Sequence, residues 1–169
     1  MRPLLLAMDG GSQSTKATVF DSSGRVHAQA SAPLLPYALG EDGSVVHPAD
    51  DLWDSVSAAC RSVMALVDAP QSIVAVGLCG IRCCRAMIGG DHRLTEPVLS
   101  WMDPRVDQPV AELDPALSMI AASSGYLTLR LTGERRDSAG AYEGMWPIDN
   151  TAGQWSAHDE DYERTGMPR

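Results

Sequence analysis

Asp9 closes a short apolar run, and the residues after it, Gly10, Gly11, Ser12, Gln13, Ser14 and Thr15, are small or carry hydroxyl and amide groups. Those types at that spacing suit phosphate chemistry. A carboxylate at a strand end can hold a hydrated Mg²⁺. The two glycines let backbone come close to a phosphate, while backbone N–H groups and the hydroxyls of Ser12, Ser14 and Thr15 can donate to its oxygens. A metal held there would offset charge on a phosphoryl group in transit, which is most of what such transfer requires. Neither G-x-x-x-x-G-K-[ST] nor a helix-opening G-x-G-x-x-G occurs in the chain. Lys16 follows on the next strand position and is expected to face solvent, opposite Thr15.

The elements that must carry this bend can be read around it. Leu4 to Met8 is continuously apolar, as in a strand covered on both faces. Thr15 to Phe20 alternates and is β-branched, a second strand. Asp21 to Gly24 is a turn in which Gly24 takes positive φ. Val26, Ala28 and Ala30 alternate in a third strand, so the three form an antiparallel meander. After a Pro- and Gly-rich loop, Pro48 suits the first turn of a helix, with Asp50 and Asp51 near its positive end. Leu52, Val56, Ala59, Val63 and Leu66 recur at helical spacing, and the helix is expected to end near Ala69 and Pro70. Residues 72–80 read as another buried strand, and 85–93 as a strand entering a Gly-Asp turn. The second half is less regular. Tyr126 to Gly133 suits a short helix or strand ending at Gly133, and Ser156 is a candidate N-cap for a helix stopped by Gly166. The fold expected is α/β, a mixed sheet with helices on it, forming one domain over 1–169. Its core sheet and helix would occupy 1–106 and a less regular, substrate-side segment 107–169.

Bulk properties narrow the partners. A net charge of −9 argues against binding a nucleic-acid backbone, which needs clustered Lys and Arg. No apolar run is long enough to span a membrane. The apolar stretch at the N-terminus is too short for a signal peptide, so a cytoplasmic protein is expected. Cys60, Cys79, Cys83 and Cys84 fit no zinc or C-x-x-C redox pattern and read as reduced structural thiols.

At Asp9 to Thr15 the chain resembles the first phosphate loop of the actin-like ATPases, whose domains are ribonuclease H-like. Three further stretches narrow the resemblance to the FGGY carbohydrate kinases. One is residues 75–105, ending in W-x-D-x-R as Trp101, Asp103 and Arg105. The second is Tyr126 to Gly133, read as "YL-x-x-R-L-T-G", followed by Asp137 and a D…W-S pair. The third is the helix carrying Trp53. The resemblance implies an ATP- and Mg²⁺-dependent kinase of a sugar or polyol. In it Asp9 would coordinate the metal through water, Gly10 would belong to the phosphate-binding loop, and Gly11 to Thr15 would face the γ-phosphate. Arg82, Cys83, Trp101 and Asp103 would line the substrate. Arg82 and Cys83 fall where glycerol kinases have Arg-Glu and xylulokinases Met-His, and Cys83 is neither Glu nor His. A pairing of Asp103 with Arg105 that only holds the turn is the alternative for those two residues. The resemblance also implies that a segment between W-x-D-x-R and the "YL" run is shortened. It further implies that the family's catalytic Asp and nucleotide lobe lie beyond Arg169. On that reading the chain alone is expected to be inactive, to pair with such a lobe, and to self-associate through exposed apolar surface. A non-catalytic module that binds a sugar or a partner is the competing expectation.

Overall fold

A computed structural model describes residues 3–110, 114–141, 146–149, 151–165 and 167, apart from the side chains of Asp107 and Ala139. The chain divides into two compact units. The first comprises residues 1–36 and 51–80, the second 37–50 and 81–169. The division thus falls at Gly80, with 37–50 assigned to the second unit, whereas the sequence suggested a change of character near Val106.

The first unit follows the meander. Strands β1 (Leu4–Gly10), β2 (Ser14–Asp21) and β3 (Val26–Pro33) pair antiparallel. Gly24 takes φ 82° at the β2–β3 turn, a conformation a Cβ would strain. Asp21 holds that turn by accepting from the backbone and hydroxyl of Ser23, the N–H of Arg25 and the His27 ring. In the second unit the short strands β4 (Ala38–Leu39) and β5 (Val45–Val46) pair antiparallel. Helix α1 (Asp51–Met64), again in the first unit, buries Leu52, Val56, Ala59 and Val63 as its spacing predicts and packs over β2 and β3.

Two helix expectations shift. The helix begins at Asp51, after Ala49 has turned to φ 50°, so Pro48 lies outside it. It ends at Met64, which leaves Leu66 exposed beyond it. Strand β6 (Ile73–Cys79) then pairs parallel to β1, giving the order β3-β2-β1-β6. Its apolar composition suggested burial, yet it is the edge of the sheet, with Val74 67% and Val76 57% exposed. An apolar run records what a strand can bury, and α1 packs mainly over β2 and β3, with a smaller contact to β1.

In the second unit β7 (Ala86–Gly89) pairs antiparallel with β8 (Leu117–Ala121). Residues 126–132 are helical, within α2 (Ser123–Thr132), and Gly133 closes that helix at φ 76°. The short pair β9 (Ile148–Asp149) and β10 (Gln154–Trp155) precedes α3 (Asp159–Thr165). Ser156 stands ahead of α3, accepting from the His158 N–H and donating to Asp161, while Gly166 lies outside the described residues. Ile120, Ala122, Ala141, Trp146 and Met167 form a buried apolar cluster here.

Candidate functional site

The phosphate hairpin lies wholly in the first unit. Pairing of Gly10 with Thr15 ends the β1–β2 ladder, and the Gly11 N–H closes the turn on the Ser14 carbonyl at 3.0 Å. Ser12 and Gln13 are exposed at the tip, and Gly11 and Ser14 are half-buried. Gly11 has its ideal Cβ position 3.2 Å from the Ser14 carbonyl oxygen, so a side chain there would press on the turn. Asp9 is exposed at the end of β1, and its carboxylate has no hydrogen-bond partner among the described residues. Lys16 is exposed and Thr15 buried, on opposite faces of β2.

One expected phosphate donor is withdrawn. Thr15 is 1% exposed, and its hydroxyl lies 2.8 Å from that of Ser55 on α1. Strand alternation explains this: the position after half-exposed Ser14 must face the covered side of the sheet. The hydroxyls left facing outward are those of Ser12 and Ser14.

A Mg²⁺ ion fits the donor set found here. Among the described residues no three His, Cys, Asp or Glu side chains converge as a cage. Mg²⁺ commonly keeps several waters and binds through one or two carboxylates plus substrate phosphates. An exposed, unpartnered carboxylate beside a glycine bend meets that description.

The four expected substrate residues lie in the second unit. Cys83 is half-buried at φ 62°, an uncommon conformation for a residue with a Cβ. Arg82 before it is exposed, and the preceding Ile81 carbonyl accepts the Ser123 hydroxyl at 2.5 Å. Cys84 is fully buried, and burial pushes its thiol up to about 12. The Trp101 N–H reaches that sulfur, and Arg85 bridges to Leu99, so the Arg82–Cys83 and Trp101–Asp103 segments are neighbours. Trp101 is 52% exposed, with its ring available as an apolar face.

Asp103 does not line an open site. It is 1% exposed, and both of its oxygens are occupied. Arg105 Nε donates to Oδ1 at 2.8 Å and its terminal nitrogen to Oδ2 at 2.7 Å. The Arg105 N–H also reaches Oδ1 and the Val45 N–H reaches Oδ2, at 2.9 and 2.8 Å. The guanidinium bonds, foremost, hold its carboxyl at about 2. A substrate hydroxyl would have to displace one of these donors, so Asp103 ties β5 to the W-x-D-x-R turn.

Sequence reading missed three features. Ser55 was one small polar residue among the buried positions of α1, which was its only signal. Asp50 receives the Tyr126 hydroxyl and the Arg130 guanidinium, each at 2.5 Å, where a dipole partner of α1 was expected. His47 is buried against Tyr37, ring centroids 4.8 Å apart, with no hydrogen-bond partner for either ring nitrogen among the described residues. Burial lowers its pKa to about 4.

With this geometry in place, comparison with known proteins is informative. The model of the FGGY family of carbohydrate kinases, N-terminal domain, matches residues 4–128. An uncharacterized sugar kinase of Escherichia coli, YgcE, is 37% identical over 166 residues, covering 98% of this chain and 34% of that protein. A glycerol kinase of Rhodospirillum rubrum is 40% identical over 115 residues, covering 66% of this chain and 23% of its own length. This chain therefore spans about a third or less of the curated relatives it matches. Among solved structures, a xyloylose kinase from Brucella ovis superposes with TM-score 0.81 at 20% identity, covering 97% of this chain and 41% of that one. A gluconate kinase from Lactobacillus acidophilus gives 0.80 at 16% identity, covering 99% and 40%. These two show a shared fold.

Proposed function

Because the chain belongs to the FGGY family of carbohydrate kinases, we propose that it supplies the phosphate hairpin and part of the sugar wall for ATP-dependent phosphorylation of a sugar or polyol hydroxyl. The observation that carries this reading is Asp9, exposed and without a partner among the described residues, beside a turn whose tip, Ser12 and Gln13, is exposed. Ser12, Ser14 and backbone N–H groups at the tip would donate to the terminal phosphate, and Asp9 would hold Mg²⁺ through its waters. The metal, when bound, supplies positive charge against the transferring group. Arg82 would donate to a substrate hydroxyl, and Trp101 would cover substrate carbons with its ring. Half-buried Cys83 offers neither a strong acceptor nor an imidazole, which favours a substrate that makes no demand for one at that position.

The relatives' names suggest the panel: glycerol, xylulose and gluconate, with Mg²⁺ and ATP, assayed by coupled ADP release in the longest natural form of the protein. Asp9→Ala is expected to lower turnover of an accepted substrate by about a thousandfold. Unchanged turnover in that variant would end the reading. Sugar binding by calorimetry with no phosphoryl transfer would favour a non-catalytic binding module. The cytoplasm is the expected location. Among the described residues no helix is long and apolar enough to cross a membrane.

A further inference from the structure

The turn of residues 11–14 is held by bonds that lead to one face of α1. Beneath it, Thr15 and Ser55, which is 3% exposed, share a buried hydrogen bond of 2.8 Å. Ser55 donates its single hydroxyl proton to the Leu52 carbonyl at 3.1 Å. Thr15 is therefore the donor in their bond, and the relay runs in one direction from strand to helix backbone. Beside the turn, the Leu34 N–H donates to the Gln13 carbonyl at 2.9 Å. The next residue, Leu35, donates its N–H to the Asp51 carboxylate, also at 2.9 Å. Asp51 and Ser55 are four residues apart, on one face of the helix, and both are buried. The first turns of α1 thus hold the hairpin at two points, from below through Thr15 and from the side through the segment leaving β3.

We propose that Asp51 and Ser55 are positioning residues for the phosphate hairpin, fixing the backbone of residues 11–14 through Thr15 and through Leu34–Leu35. The proposal rests on the nucleotide reading only for the purpose of the hairpin; the coupling itself stands on the bonds above. Three residues between two strands have few internal bonds of their own, and a Gly-containing turn loses much conformational entropy on ordering. Bonds from a packed helix supply the order that a close phosphate contact needs. They also explain why a hydroxyl residue follows Ser14 although it faces away from any ligand.

Amide hydrogen exchange on the full chain tests this, with Mg²⁺ and ATP binding measured in parallel by calorimetry. In Ser55→Ala the Gly11 amide should exchange about tenfold faster, and in Asp51→Ala the Leu34 and Leu35 amides should do the same. The Leu6 and Val19 amides in mid-strand should stay within about twofold of the parent. Thr15→Ser should behave as the parent and Thr15→Val as Ser55→Ala, which reads the same bond from its other end should Ser55→Ala fail to fold. The proposal is overturned if the Gly11, Leu34 and Leu35 amides keep their protection in the double variant. It is equally overturned if every sheet amide accelerates together, as plain loss of stability would produce. Affinity for Mg²⁺ and ATP should fall at least fivefold with the loosened turn. If the turn loosens as expected and the parent binds no nucleotide, positioning holds and the nucleotide reading is what fails.

Discussion

Asp9 in the first unit and Asp103 in the second were both expected to touch a ligand, and the structure treats them in opposite ways. Asp9 ends a strand, is exposed and has no partner among the described residues. Asp103 is buried with two N–H groups and a guanidinium already on its oxygens. The difference is one of hydrogen-bonding capacity. An ionised carboxylate accepts at two oxygens, and what the fold has not used is what a ligand can have. Both aspartates sit in recognisable motifs, yet one motif leaves its acid open and the other closes it. The same division separates neighbours on β2, where Ser14 is half-buried and the Thr15 hydroxyl is committed to Ser55.

The comparison is tested most severely by removing each acid in turn. Asp9→Ala should leave the unfolding free energy within about 0.5 kcal/mol, the range for an exposed site without special contacts. Asp103→Ala should cost about 2–3 kcal/mol, since it leaves the Val45 N–H and the Arg105 guanidinium without their acceptor. Urea unfolding of the two variants at neutral pH measures both. If Asp9→Ala proved the more destabilising, the assignment of one acid to a ligand and the other to the fold would be reversed.

Acid should sharpen the contrast, because the second unit carries the sensitive group. The buried His47 ring has no hydrogen-bond partner for its nitrogens among the described residues, and burial lowers its pKa from 6.5 to about 4. Between those values the unfolded chain takes up a proton that the folded chain refuses. Stability therefore falls as pH is lowered from 6.5 towards 4, by up to about 1.4 kcal/mol per pH unit. Asp103, held at about 2, adds its own loss only below its usual 3.8. In the first unit the Ser23 and His27 bonds hold the Asp21 carboxyl well below its usual range, so it too adds a loss only below 3.8. Burial raises Asp51, whose protonation on acidification works in the other direction. Urea midpoints at pH 7 and 5 should differ for the parent and differ much less for His47→Leu. Exchange at pH 5 should rise first at the backbone N–H of His47, which donates to the Val98 carbonyl. An equal rise in β1 and β2 would remove the distinction between the units.

Much of the first unit was legible because its signals are local. The apolar run of β1, the alternation of β2, the turn with Gly24 and the helical spacing of α1 each name an element without reference to the rest of the chain. The phosphate hairpin is equally local, since its small residues and its strand-end acid are contiguous. What escaped was tertiary. The Thr15–Ser55 bond spans 40 positions and the Tyr126–Asp50 bond 76, and no periodicity announces either. Asp103 illustrates the limit from the other side. Its pairing with Arg105 was visible at a spacing of two residues, but the N–H of Val45 that completes its burial was not. Strand β6 shows that composition reports capacity alone, because coverage depends on where a helix lies.

That strand supports the smallest effect on stability. Residues 73–79, IVAVGLC, contain no charge and no proline, and β6 stands at the edge of its sheet with Val74 and Val76 outward. An uncharged apolar edge offers unpaired backbone groups and apolar surface together, the combination that strand-to-strand association uses. Val76→Lys places a charge on that face at a site where little packing is lost. The unfolding free energy should change by no more than about 0.5 kcal/mol. Association should change far more, since a buried lysine on a growing sheet edge is costly while an exposed one is not. Light scattering over a concentration series should show aggregates of the parent that the variant lacks. If the parent stays monomeric at high concentration, the outward face of β6 is inert, and the expectation of self-association drawn from the sequence fails with it.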